Sequence, residues 1–245
     1  MPVRYQVRER IAHIKLDRPE KLNALRDEDV EELSERLLQF DCDDAADVAI
    51  LSGEGRCFCA GVDVKARLLA AADAGPRGQS RPSEGDAFLR CINWKPVIAA
   101  VHGYVLGHAM GTAMLCDFLV AAPDAQFQAT EVTLGIPLPG MWAHFAYAAG
   151  PTFANDVMMT GRRFGAEEAR QVGLVTEVTG AGEHLAAAEK LATTLLGNSQ
   201  PAVRELVRCR RSILAEHLQH ARSVAGTFRW SESSDFQNAI RAKAN

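Results

Sequence analysis

The chain has 245 residues, 47% hydrophobic, 24% charged and 7% aromatic, with 31 acids against 27 bases and a formal net charge of −4. This composition excludes a disordered chain and leaves no global electrostatic footprint for nucleic acid. The length fits one large domain, or one domain with a short appendage, whose core needs no staples. The six cysteines, at 42, 57, 59, 91, 116 and 209, form no CxxC pair and are not bracketed by histidines at zinc-ligand spacing, so no metal site is expected. With a start too charged for a signal peptide, they point to a reducing cytoplasm.

In chain order, Ala12, Ile14 and Leu16 alternate with His13 and Lys15, which predicts a half-buried strand over Arg10–Leu16. Asp17–Lys21 is a polar turn. Asp27 reads as a helix N-cap, followed by Glu28 and Asp29, acids suited to the helix dipole, and by Val30, Leu33, Leu37 and Phe40 at helical spacing. Val48–Leu51 is a short apolar strand. Ala66–Ala74 reads as a weak helix, the breaker-rich Gly75–Ser83 as a mobile surface loop, and Asp86–Asn93 as a helix.

From Pro96 to Cys116 there is no Asp, Glu, Lys or Arg over 21 residues, enough to span a bilayer, and Gly103, Gly107 and Gly111 are spaced as in membrane-helix pairs. Pro96 at the head, His102 and His108 inside and the β-rich VIAAV favour a buried strand at Pro96–Val101, a tight turn and a buried helix. No membrane span is expected. Phe118–Ala122 is another strand. A second charge-free run, Val132–Asn155, contains Pro137, Pro139 and Pro151, which forbid one continuous helix. Its aromatics, Trp142, Phe145, Tyr147 and Phe153, are expected to line a core or an apolar pocket. Ala166–Gly173, Glu183–Gly197 and Pro201–Gly226 read as helices. Strands alternating with helices imply an α/β core, residues 1–195, carrying a helical C-terminal region, 196–245.

Two glycine turns follow strands: Cys57–Asp63 with Gly61, and Gly103–Gly111 with Gly107. Small residues let backbone approach a ligand, and a helix N-terminus presents N–H groups. Two such turns in contact would aim two amides at one oxygen, the geometry of an oxyanion hole. Spacing does not establish that they meet.

Asp17-Arg18-Pro19-Glu20-Lys21-Leu22-Asn23-Ala24-Leu25 resembles the DRP-x-x-x-NAL signature of the crotonase (enoyl-CoA hydratase/isomerase) superfamily. Phe58–Lys65 is similar to its F-x-A-G-x-D-x-K segment, and Pro96–Gly107 to its KPVIAAV-x-G-x-x-x-G segment. Cys116-Asp117, Ala125-Gln126-Phe127 and Glu131 are similar to its CD…A-x-F…E stretch. Thr160-Gly161-Arg162 and Ala166–Val175 resemble its TG…A-x-E-A…GLV helix, and Glu232–Phe236 its E-S-x-D-F. The resemblance implies an α/β, crotonase-type ββα spiral core with a C-terminal helical trimerisation region, forming a homotrimer or dimer of trimers. It implies an acyl-CoA or acyl-carrier thioester as substrate, with coenzyme A entering as part of that substrate and no separate cofactor. The thioester oxygen would be held by the main-chain N–H of Val62 and of His108, stabilising an enolate. Lys65, Lys21, the Ala24 and Ala60 backbones, Asp63 and Gly107 fall where family members bind the ligand.

One departure bears on the reaction. Hydratases of the family use two glutamates; here the second position is Glu131, but the first is Gly111, which has no side chain. A positioned acid or base contributes roughly 10²–10⁴-fold, so hydration is expected to be crippled, whereas one carboxylate suffices to carry a proton between two carbons. The resemblance therefore favours an isomerase-like double-bond shift with Glu131 as the acid/base. His108 opens a second reading, a decarboxylase or C–C bond hydrolase in which its ring serves the thioester enolate, against the plainer one in which it contributes only its amide. A third is an acyl-CoA-binding protein with weak catalysis. His144, on the stretch after Glu131, has two readings, one facing the pocket and one on a helix surface, and the helix surface is expected.

Overall fold

The computed structural model describes residues 2–63, 66, 91–225, 234 and 238. The expected helix and loop at 67–83, Lys65, most of the expected helix at 86–93 and nearly all of the C-terminal E-S-x-D-F stretch lie outside them. Residues 91–93, the end of that last helix, form a bend instead.

A six-stranded sheet has the order β1 (Val3–Arg8), β2 (Ile11–Leu16), β3 (Val48–Gly53), β4 (Val97–Val101), β6 (Phe118–Ala121) and β9 (Glu177–Val178). β1 and β2 pair antiparallel; the remaining pairs are parallel. Alternation divides each strand between two cores. Ala12, Ile14, Ala49, Leu51, Ala99 and Val101 join one with Leu33, Leu37 and Phe40 of α1 (Asp27–Cys42). Ile11, Val48, Ile50, Ile98, Ala100 and Val120 join the other, covered by Ala188, Ala192 and Leu195 of α6 (His184–Leu196). Central strands packed on both faces are apolar throughout, which is why VIAAV is a strand and not half a membrane helix. Among the described residues no helix is long and apolar enough to cross a membrane, and no two of the six cysteines are joined in a disulfide.

Asp27 does not cap α1. Arg26, in extended conformation, precedes the helix, and Asp29 accepts its main-chain N–H at 2.9 Å. A carboxylate in the third helical position can reach back to a donor that Asp27, already inside the helix, cannot.

A smaller sheet, β5 (Tyr104–Leu106), β7 (Gln126–Gln128) and β8 (Phe164–Gly165), lies beyond the strand ends. Single parallel bridges, Cys59 to Val105 and Leu25 to Val62, attach two loops to it. Between β5 and β6 runs α2 (His108–Leu115). The second charge-free run folds as α3 (Pro139–Ala149) and α4 (Pro151–Thr160), divided at Gly150–Pro151. Phe145 and Phe153 both meet Phe164 edge-on, and Trp142 packs against the same core, but Tyr147 is exposed. Its ring lies 5.3 Å from that of His217 of α7 (Gln200–Ala225).

α7 is anchored by charge. Arg211, 1% exposed, donates to Asp117 at 2.8 Å and to the Lys95 carbonyl at 3.0 Å; Arg210 donates to the other Asp117 oxygen at 3.2 Å. Asp117 also accepts the Val97 N–H at the start of β4. Removing one partner of a buried pair strands the other, so Asp117→Ala is expected to lower unfolding stability by about 3–5 kcal/mol in urea titration. A loss below about 1 kcal/mol would contradict the anchoring role.

Candidate active site

Three short segments converge beyond the carboxyl ends of the parallel strands. The first is the loop 18–25. Asn23, buried and in left-handed conformation at φ 55°, donates its side-chain amide to the carbonyls of Glu54, Cys57 and Phe58 and accepts the Arg18 N–H at 2.8 Å. One short amide thus holds this loop to the second segment, 57–63. Main-chain bonds complete the join: Ala60 N–H to Leu22 O at 3.0 Å, Leu25 N–H to Gly61 O at 2.8 Å, and Asp63 N–H to Leu25 O at 2.8 Å.

The third segment is the turn from β5 into α2. It runs beside the second, with Cys59 N–H donating to Tyr104 O at 2.9 Å and Leu106 N–H to Cys59 O at 3.1 Å. The two glycine turns therefore meet. A Cβ on Gly61, whose φ is 93°, would lie 2.8 Å from Leu106 O and 4.0 Å from Gly107 Cα. Gly107, at φ 53° and ψ −124°, bends the chain so that α2 begins at His108. That backbone region is open essentially to glycine alone. Gly107 N–H is held by Gln128 O at 2.8 Å.

Glu131 lies against this junction. A Cβ on Gly107 would fall 2.7 Å from Glu131 Oε1 and 2.7 Å from Thr130 Oγ1. Burial pushes the Glu131 carboxyl above the ordinary glutamate range; hydrogen bonds from its own backbone and Thr130, and the neighbouring His108 when charged, offset only part of this. A carboxyl with raised affinity for protons, beside two glycine turns, is equipped to take up and return a proton.

Of the expected site residues, Ala24, Ala60, Val62, Asp63, Gly107, His108 and Glu131 thus come together along these segments. Asp63 pairs with Arg18 at 3.7 Å, and the Ala24 carbonyl accepts Arg18 at 2.8 Å. Arg18 and Arg26 share the buried carboxylate of Asp29. These two arginines and Asp29 brace the loop that carries Ala24, a role the sequence reading did not give them. Lys21 is exposed on a 3₁₀ turn, Pro19–Lys21. Among the described residues, what stands nearest position 111 is apolar: a Cβ there would lie 2.9 Å from the terminal methyl of Met141. Among the described residues no group of three or more His, Cys, Asp or Glu is arranged to hold a metal ion.

His144 is not on a helix surface. It is 5% exposed, on the face of α3 turned to the core and α7, and burial with the nearby Arg210 charge pushes it down to about 3. Its folded-state pKa is depressed below the unfolded 6.5, so the unfolded chain binds a proton that the fold refuses. Stability should fall by up to about 1.4 kcal/mol per pH unit below 6.5 towards 3, and His144→Leu should flatten this part of the profile. Equal acid sensitivity of the two proteins in denaturant titrations would refute it.

Comparison with known proteins follows the same outline. Residues 6–233 match the family model for enoyl-CoA hydratase/isomerase. A Mycobacterium leprae protein named as a probable enoyl-CoA hydratase is 37% identical over 228 residues, covering 88% of this chain and 85% of its own. The carnitinyl-CoA dehydratase of Shigella flexneri is 38% identical over 199 residues, covering 80% and 75%. The structure of an enoyl-CoA hydratase/isomerase from Pseudoalteromonas atlantica superposes with a TM-score of 0.87 at 25% identity, covering 99% of this chain and 96% of that one. That of an enoyl-CoA hydratase from Mycobacterium tuberculosis gives 0.79 at 30% identity, covering 94% and 99%.

Proposed function

Because the chain belongs to the enoyl-CoA hydratase/isomerase family, whose crotonase-type fold it shares, we propose that it shifts the double bond of a 3-enoyl thioester to the 2-position, with Glu131 as the single acid/base. The observation that carries this reading is the Glu131 carboxylate against Gly107, with bare Gly111 one helical turn further on. In this reading the thioester oxygen lies between the main-chain N–H groups of Val62 and His108. As Glu131 takes a proton from C2, the electron pair moves into a dienolate whose charge rests on that oxygen. The same proton returns at C4, so no atom is gained or lost. Each oxyanion donor contributes about 2.7–4 kcal/mol to such a step. Lys21 and Lys65 are the proposed partners of the coenzyme A phosphates, as point charges. Coenzyme A enters with the substrate and no further cofactor takes part.

The names of the relatives favour a second reading, addition or removal of water at a 2-enoyl thioester. Incubation with 3-enoyl-CoA, crotonyl-CoA and a β-keto acyl-CoA separates the readings. Conversion of the first alone is the expected result. Rapid hydration of crotonyl-CoA would sink the single-carboxylate mechanism, and loss of carbon dioxide or chain cleavage from the third would transfer the chemistry to the His108 ring.

A further inference from the structure

Met141 stands where it can decide between those two outcomes. Gly107 immediately precedes α2 and its carbonyl accepts the Gly111 N–H at 3.2 Å, so the two positions are one turn apart. The Glu131 carboxylate packs at the first position and the Met141 methyl at the second, 2.9 Å from an ideal Cβ on Gly111. Met141 is set on the first turn of α3, between Leu138 and Trp142, and all three pack against the main core. Four residues on, fully buried Phe145 locks the helix through its edge contact with Phe164. From the other side Leu218 of α7 comes within 3.5 Å of the Cβ position of Gly140. The methyl therefore fills the space that glycine leaves.

A thioether is apolar and a weak acceptor, so it fills volume without holding a water in place. Glycine at 111 alone would leave a gap opposite the carboxylate; a gap with polar groups near it is where water lodges. Water there would add to the 2-enoyl product, its hydroxyl to C3 and a proton to C2. Excluding it protects the product from that side reaction.

We propose that Met141 is a specificity-determining residue that keeps the site dry beside Gly111, so that Glu131 returns the proton to carbon and no water is added. The inference rests on the double-bond-shift reading, and its test separates the two. Each variant is given 3-enoyl-CoA and the 3-hydroxyacyl and 2-enoyl thioesters are quantified by chromatography. Met141→Ala should raise the hydroxyacyl-to-enoyl ratio about tenfold or more, while Met141→Leu, which keeps the volume, should leave the ratio as it is. In a second arm on crotonyl-CoA, Gly111→Glu/Met141→Ala should hydrate at least about tenfold faster than Gly111→Glu, whose side chain starts against the Met141 methyl. If Met141→Ala does not fold, Met141→Val, which removes the sulfur and terminal methyl but keeps a branched stub, carries the same expectation. An unchanged ratio in a folded variant, or equal hydration by Gly111→Glu with and without the second change, overturns the proposal. If the unmodified enzyme makes no 2-enoyl thioester but the second arm still shows the difference, the double-bond shift fails and the role of Met141 stands.

Discussion

Glu131→Gln is expected to lower kcat for the double-bond shift by about 10²–10⁴-fold, with thioester binding close to unchanged. Glutamine keeps the shape of the carboxyl and one accepting oxygen but cannot take a proton. The parent enzyme should lose activity as pH falls through a value above the ordinary 4.5 of glutamate, because burial raises this group and only its ionised form is a base. The same shift has a stability sign. With a folded pKa above the unfolded one, the stabilising contribution of Glu131 is full at low pH and disappears as pH rises through the folded value. Glu131→Gln should therefore be the more stable protein on the alkaline side while being the poorer catalyst. Turnover at the parental rate would remove Glu131 from the mechanism.

Gly107→Ala is expected to be as damaging to activity and harmful to stability as well. The added methyl would sit 2.7 Å from Glu131 Oε1 and from Thr130 Oγ1, well inside van der Waals contact, on a backbone at φ 53° and ψ −124°. Either the carboxylate moves off the junction or the turn opens and carries the His108 N–H with it. Loss of one oxyanion donor alone costs about 10²–10³-fold in kcat, and a non-glycine residue in such a backbone region costs of order 1–3 kcal/mol. Stopped-time assays and a urea titration read both. Near-parental values of the two would mean that the turns are not the machinery.

Much of this was legible in the sequence because it is local. VIAAV and VAIL announce strands buried on both faces, and proline at 139 and 151 sets the starts of α3 and α4. β1 is not among the expected strands, although Val3, Tyr5 and Val7 alternate with Arg4, Gln6 and Arg8, because a charged edge strand declares itself only when β2 pairs with it. β5, β7 and β8 are two or three residues long, too short for any period to declare itself. In the site, the resemblance singled out Gly61, Gly107, Glu131 and the gap at 111, but not Met141, whose meaning lies in a contact across thirty residues. His144 was misplaced for a related reason. A histidine among alanines and aromatics carries no mark of the face it occupies until α7 covers that face. Asp29 looked like a dipole residue and is in fact the shared anchor of Arg18 and Arg26.

The charge anchor of α7 also orders events in time. A chain made from its N-terminus exposes Asp117 to the cell more than ninety residues before Arg210 and Arg211 leave the ribosome. Until then β4 and β6 can pair but would bury a carboxylate without its counter-ions, so the nascent sheet stays unsealed at that edge. The last long helix is the closing clasp of the core, and a truncated product lacking it would present chaperones and proteases with an open sheet.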